Sequence, residues 1–263
     1  MKSIIQVIIV ALSSLTLTSG QTVDTINRTD KNGLRQGYWI QKYPGGNRRY
    51  EGYFKDNHPI GVFKRYYETD TIQSMLFYSD NGSKADAIFF HPNGFIAAAG
   101  KYIDQKREGK WEFFSSIIRG YKVSEEEYHN NMKNGFSIKY YPDKIIAEKR
   151  NYINDVIQGE SLQYHENGNI YIRSHYINGL LDGKFEVWDK KGNMICTGDY
   201  KNDRRNGTWY IYNTDGSVKE KINYVNGLAT NPELYIRENR LLDSLEINGR
   251  KLSDPEKTGT IWQ

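Results

Sequence analysis

The side chains in this chain that could do chemistry are five histidines, one cysteine and a few groups of carboxylates, and their spacing decides what is open to them. His58, His91, His129, His165 and His175 form no His-x-His or His-Glu-x-x-His pair, the spacings that bring two imidazoles to one metal ion. They read as scattered surface or turn histidines. Asp56, Asp80 and Asp104 recur every 24 residues, a ladder that would carry calcium if its rungs were close. At two strands per repeat the rungs stand ~10 Å apart, whereas calcium takes oxygens at about 2.3–2.6 Å. Glu125-Glu126-Glu127 offers adjacent carboxylates, but neighbours on a strand point to opposite faces, so the run reads as a solvated loop charge rather than an acid–base pair. No Gly-x-Ser-x-Gly turn and no Gly-rich loop ending in Gly-Lys-Ser/Thr is present. Cys196 has no second cysteine to pair with and reads as a small buried hydrophobe. The expectation is no catalytic residue, no metal ligand and no cofactor.

The elements that place these residues are set by a repeat. Gly37, Gly61, Gly109, Gly135, Gly159, Gly183 and Gly207 open similar segments, with Ala85 in the one vacant slot, at a period of 24 residues that lengthens once to 26. Late in each segment stands an aromatic landmark: Phe54, Tyr78, Tyr102, Tyr128, Tyr152, Tyr176, Tyr200 and Tyr224. Two residues beyond each comes Asp56, Asp80, Asp104, Asn130, Asn154, Asn178, Asn202 or Asn226, residues that tolerate the positive φ of a tight hairpin. A second turn falls in mid-segment, as at Pro44-Gly45-Gly46 and Glu166-Asn167-Gly168. Runs of about five to nine residues between turns suit strands and are too short for helices.

The sequence therefore predicts an all-β fold: sixteen antiparallel strands in an elongated, single-layer β-hairpin meander over residues 37–230. The 21 tyrosines among 36 aromatic residues fit such a sheet, because broad rings cover neighbouring strands while their polar tips stay wet. Residues 21–36 form a lead-in. Asn231-Pro232, followed by Leu234, Tyr235, Leu241, Leu242 and Leu245, predicts a short capping helix over about 232–245 within a C-terminal segment 231–263, with a flexible tail after Ser253.

At the other end, Lys2, the uncharged run Ile4–Leu17 and Thr18-Ser19-Gly20 follow the pattern of a secretory signal over residues 1–20. The run is shorter than the roughly 20 apolar residues a spanning helix needs, so the expected product is exported, periplasmic or extracellular, and not membrane-spanning. Loss of residues 1–20 would remove only Lys2 among charged residues and leave a net charge of +3, too weak a balance to argue for nucleic acid.

Gly37-Tyr38-Trp39, Gly109-Lys110-Trp111 and Gly207-Thr208-Trp209, each followed by the later Tyr and Gly landmarks, resemble the MORN repeat variant, and the resemblance extends over all eight units. In particular it is similar to the bacterial form labelled the YwqK-family antitoxin. The resemblance implies an open β-repeat sheet used as an interaction platform and transfers no catalytic residue. Ala85 and Ala87 depart from it, and Ser137 and Ser161 stand where other repeats carry Trp39, Phe63, Trp111, Phe185 or Trp209. Those units are expected to be looser or to receive something.

Two surfaces suit a partner. Phe89, Phe113, Phe136, Tyr171 and Tyr210 are aromatics that the repeat does not demand. Lys106, Arg107, Lys133, Arg204 and Arg205 share late offsets and would line one edge, interrupted by Val156-Ile157 and Leu180-Leu181. Three functions compete: an exported non-catalytic scaffold that binds a protein, an envelope module for carbohydrate or anionic lipid, and a cytoplasmic toxin-neutralising antitoxin.

Overall fold

The fold is described for residues 26–230 and 242–245 of a computed structural model. They fall into two compact units, one of residues 26–122 with 127–132 and one of 123–126 with 133–230 and 242–245. The first holds β1 (Arg28–Thr29), β2 (Arg35–Lys42), β3 (Arg48–Lys55), β4 (His58–Tyr66), β5 (Ile72–Ser79), β6 (Lys84–Phe90), β7 (Ile96–Ile103) and β8 (Lys106–Phe114). Residues of β9 (Lys122–His129) and β10 (Met132–Tyr140) are divided between the units. The second continues with β11 (Ile146–Ile153), β12 (Val156–Ile157), β13 (Gly159–Tyr164), β14 (Ile170–Ile177), β15 (Leu180–Trp188), β16 (Met194–Lys201), β17 (Arg204–Tyr212), β18 (Val218–Val225) and β19 (Leu228–Ala229). Within each unit every strand pairs antiparallel with its chain neighbour, so the fold is an all-β hairpin meander. The sixteen expected strands are β2–β18, with β12 and β13 together making one; β1 and β19 are two-residue additions.

Backbone conformation explains the periodic Asp and Asn. Both central residues of the hairpin turns have positive φ: Asp56 and Asn57 at 51° and 66°, Asn178 and Gly179 at 51° and 82°. That is the handedness matching strand twist, and Asn, Asp and Gly reach it at the lowest cost. The mid-repeat loops close on a second left-handed position, occupied by Gly46, Asp70, Gly94, Gly120, Lys144, Gly168, Gly192 and Gly216. Lys144 takes it at φ 71°. A side chain there costs about 1–2 kcal/mol, more than the extra chain entropy glycine loses on folding. Lys144→Gly should therefore stabilise the protein by about 0.5–1 kcal/mol, read as a higher urea midpoint; a lower midpoint would show that the lysine side chain itself contributes.

The opening glycine makes a bulge at Gly61, Gly109, Gly159, Gly183 and Gly207. Glu51 pairs with Lys64 and Tyr53 with Ile60, so one residue of β3 faces three of β4, with Gly61 at φ 62°. The same shift occurs between β7 and β8, β14 and β15, and β16 and β17, and it breaks one expected strand into β12 and β13. The β5–β6 ladder alone among these runs unshifted from Ser74–Phe89 to Ser79–Lys84, and its repeat is the one opened by Ala85, which has no positive φ. A methyl group disfavours the left-handed bulge residue, so this ladder stays regular.

The landmark aromatics occupy equivalent places. Phe54, Tyr78, Tyr152, Tyr176, Tyr200 and Tyr224 each pair with the opening glycine of their own repeat, and Tyr102 pairs with Ala85. Beside them lie the rings two residues after each opening position. Trp209 is fully buried between Tyr200 and Tyr224, at centroid distances of 5.2 and 6.2 Å and nearly edge-on to both. Phe63 sits the same way between Phe54 and Tyr78.

Those rings occupy space left by glycines. A Cβ on Gly52, Gly100 or Gly198 would come within 2.2 Å of Phe63, Trp111 or Trp209 respectively. Each glycine precedes its ring by 11 residues, and four more repeats keep the complementary size at that spacing: Leu76 with Ala87, Glu126 with Ser137, Arg150 with Ser161, Ser174 with Phe185; the first repeat, with Arg28 before Trp39, is the exception. Ala87, Ser137 and Ser161 are buried, so these repeats are not simply looser; a large neighbour stands where a ring is missing. Residues 242–245 are helical, and Leu242 and Leu245 join the buried cluster around Trp209. The rest of the expected capping helix, the tail after Ser253 and the expected signal segment 1–20 lie outside the described residues.

Candidate functional site

The expected partner-binding aromatics separate by exposure. Phe136 is the exposed one, with the Lys149 ammonium 4.2 Å from its ring centre. Phe113 is buried beside Trp111 in the core of the first unit. Tyr171 is half-buried against His165, and Tyr210 is half-buried next to Tyr212 and Lys221. Phe89 is half-buried between Tyr102 and Trp111.

The basic positions divide by strand alternation. Lys106 and Arg204 are exposed, but their neighbours fold back onto landmark rings. Arg107 lies 4.2 Å over Tyr128 and donates to its hydroxyl at 2.9 Å. Lys133 lies over Tyr152 and pairs with Glu126 at 3.1 Å. Arg205 is buried over Trp209 and pairs with Asp243 at 2.9 Å. Of the five, Lys106 and Arg204 are the exposed ones, and the other three are engaged within their own unit.

The carboxylate run also differs from expectation. Glu125-Glu126-Glu127 lies inside β9, not in a loop, and Glu126 is buried. Its side chain supplies the bulk that Ser137 lacks, and the Lys133 ammonium neutralises it. Two of the histidines tie repeats together: His91 Nε2 lies 3.0 Å from the Phe114 carbonyl oxygen and His165 Nε2 lies 2.9 Å from that of Trp188. Tyr43, Tyr67 and Tyr141 donate to the matching carbonyls of their neighbours from the same position. Among the described residues no group of three His, Cys, Asp or Glu side chains could hold a metal ion.

In the first unit, Glu51 accepts hydrogen bonds from Tyr66 at 2.6 Å and Tyr38 at 2.8 Å, with Lys64 and Arg48 at 3.5 and 3.6 Å. Burial works to raise the carboxyl, but the two hydroxyls and two cations outweigh it and hold its pKa below the usual value. Burial, followed by the hydrogen bond to and charge of Glu51, pushes Tyr38 up to about 12 against the opposing Arg48 charge. A depressed carboxyl stabilises the fold above the unfolded-state pKa of about 4.3, and that contribution disappears as pH falls through the folded value. Urea midpoints between pH 7 and pH 3 should show the wild type losing its advantage over Glu51→Gln in the acid range; a pH-independent difference would contradict the assignment.

The repeat opened by Ala85 borders a half-open cavity of about 580 Å³. Two positions that carry bulk elsewhere, 83 and 87, are small here, and the one between them is changed as well. Ser83 stands where Arg35, Arg107 and Arg205 cover landmark rings, Ala85 replaces the bulge glycine, and Ala87 replaces the ring. The walls include Tyr78, Tyr102, Leu76 and Phe89, with Arg65 and Ser74 among the polar groups. Burial pushes Tyr102 up to about 12 and raises Tyr78, opposed at Tyr78 by the Arg65 charge, so both hydroxyls remain protonated donors. Of the expected site residues only Phe89 lines this cavity. Arg65, Ser74, Tyr78 and Tyr102 went unrecognised as a group, although three small residues at alternate positions 83, 85 and 87 were a signal for them.

With this geometry the chain is defined as a β-hairpin repeat protein. The MORN repeat variant family model matches it at residues 59–80, 157–178 and 205–226, each match starting two residues before the opening glycine of the second, sixth or eighth repeat. No curated protein matches. Among solved structures it is similar to the crystal structure of TcdB2-TccC3 at 14% identity, over 76% of this chain and 12% of that chain, with a TM-score of 0.21. For TcdB2-TccC3-TEV the values are 10%, 73%, 12% and 0.20. The family model thus matches three stretches of the repeat array, and the chain spans about 12% of the length of the solved structures it is similar to.

Proposed function

We propose that the protein is an exported, non-catalytic β-repeat scaffold that binds another protein. One observation carries the reading: aliphatic pairs stand exposed at hairpin ends in the second unit. Ile153 and Val156, Ile177 and Leu180, and Val225 and Leu228 are cross-strand partners flanking their turns, each 40–71% exposed. The corresponding residues at the intervening hairpin are Lys201 and Arg204. Aliphatic side chains repeated at a turn edge do nothing for the turn and mark an interaction surface. The anionic-lipid reading has less support, because Arg107, Lys133 and Arg205 are engaged inside the protein.

Cross-linking of the exported protein in its native compartment tests this. Ile153→Lys with Leu180→Lys should leave the unfolding transition intact and remove the specific cross-links; an unchanged partner set would refute the reading. An N-terminus at Gln21 in the same material supports export, and an intact Met1 favours the cytoplasmic antitoxin alternative.

A further inference from the structure

The cavity of the Ala85 repeat has the shape of a missing part. In other repeats a ring stands edge-on between two landmark aromatics, as Phe63 does between Phe54 and Tyr78 and Trp209 between Tyr200 and Tyr224. Here the two landmarks, Tyr78 and Tyr102, are in place and the ring between them is not. Leu76, the residue such a ring would have covered, lines the void and fills only part of it, leaving about 580 Å³, within the ordinary size of a small-ligand pocket.

Two polar groups face this apolar space without a partner. Ser74 is 1% exposed, and its Oγ has no hydrogen bond. Leaving such a hydroxyl unpaired is costly, and a ligand atom that pairs with it recovers that cost. Arg65 is exposed and makes no side-chain hydrogen bond or ion pair among the described residues, and it is the only charged residue among those that line the cavity. Arg48 and Arg107 of the same unit, by contrast, are occupied by Asp70 and Tyr128. An uncommitted guanidinium beside aromatic walls with no carboxylate selects for an anion with an aromatic body.

We propose that this cavity binds a small aromatic carboxylic acid, its ring against Leu76 between Tyr78 and Tyr102 and its carboxylate on Arg65. This site is separate from the aliphatic hairpin ends and does not depend on their role. The probes are 2-naphthoate, its neutral analogue 2-naphthylmethanol, and octanoate, titrated by calorimetry into the full exported chain. 2-Naphthoate should bind saturably, the alcohol and octanoate at least about tenfold more weakly, and Arg65→Gln should weaken 2-naphthoate by about tenfold or more through loss of a charge-assisted contact. Ala87→Trp should abolish binding by restoring the ring. If that variant does not fold, Leu76→Gly with Ala87→Trp recreates the pairing of Gly100 with Trp111 and should both fold and fail to bind. Absence of saturable 2-naphthoate binding, equal binding of octanoate, or binding indifferent to Arg65→Gln would each overturn the proposal.

Discussion

Gly198→Ala, the addition of a single methyl group, is expected to destabilise the protein by about 3 kcal/mol or more. The sign runs against the usual expectation, since Gly198 does not have positive φ and alanine at such a site ordinarily stabilises by restricting the unfolded chain. Packing reverses it. The new Cβ would lie 2.2–2.4 Å from three atoms of the Trp209 indole, closer than real contacts allow. Trp209 has nowhere to go: it is fully buried, edge-on to Tyr200 and packed on Phe185, and its Nε1 donates to the Asp199 carbonyl at 3.1 Å. Accommodating the methyl group means strain in a closed site or ejection of a tryptophan, and such changes cost about 1–3 and 3–5 kcal/mol respectively. Urea unfolding followed by tryptophan fluorescence reads both the midpoint and any exposure of the indole. The complementary test uses the protein's own alternative. Gly198→Leu with Trp209→Ala reproduces the Leu76 and Ala87 pair, and the double variant should be more stable than the sum of its single changes by about 1–3 kcal/mol. Additive costs would mean that these positions are not exchanging volume.

That exchange marks what the sequence made legible and what it did not. The period, the hairpin turns and the equivalence of Tyr152 and Tyr176 follow from residues whose local demands are strong: Asn and Gly at positive φ, broad rings along one face. Ala87, Ser137 and Ser161 stood out as departures, yet their counterparts, Leu76, Glu126 and Arg150, each 11 residues earlier, belong to the preceding repeat and look unrelated when every repeat is read alone. Only strand pairing shows that one position packs on the other. The basic residues failed for a related reason. Lys106 and Arg107 share a turn, but consecutive strand residues point to opposite faces, so one is exposed and the other covers Tyr128. The candidate cavity was within reach of the sequence, since positions 83, 85 and 87 are all small, but Arg65 and Ser74 come from the preceding repeat.

Where the second unit lacks rings it is packed with charge, and removing one charge there should have the other large effect. Glu148 is buried, with Lys139 Nζ 3.2 Å and Arg150 Nη2 2.7 Å from its carboxylate and the Gln163 amide at 3.4 Å. Burial alone would lower the Arg150 pKa, but the Glu148 charge together with Tyr176 and Tyr152 outweighs it and holds the guanidinium above its usual range. Glu148→Ala leaves two largely buried cations facing one another across a cavity, and its expected cost is about 3–5 kcal/mol. Salt should not mask the loss, because buried pairs are poorly screened, so urea midpoints in 0.1 M and 1 M NaCl should show the same difference. The cluster is not therefore the strongest packing available. At the equivalent positions of the seventh repeat the chain carries Val187, Cys196 and Gly198, covered by Trp209. Replacing Lys139, Glu148, Arg150 and Ser161 by Val, Cys, Gly and Trp together should be neutral or stabilising by about 1–4 kcal/mol, as apolar replacement of a whole buried ion cluster often is. A single charge removal that costs little, or a fourfold replacement that unfolds the protein, would show that the charges stabilise this repeat beyond filling the space of the missing rings.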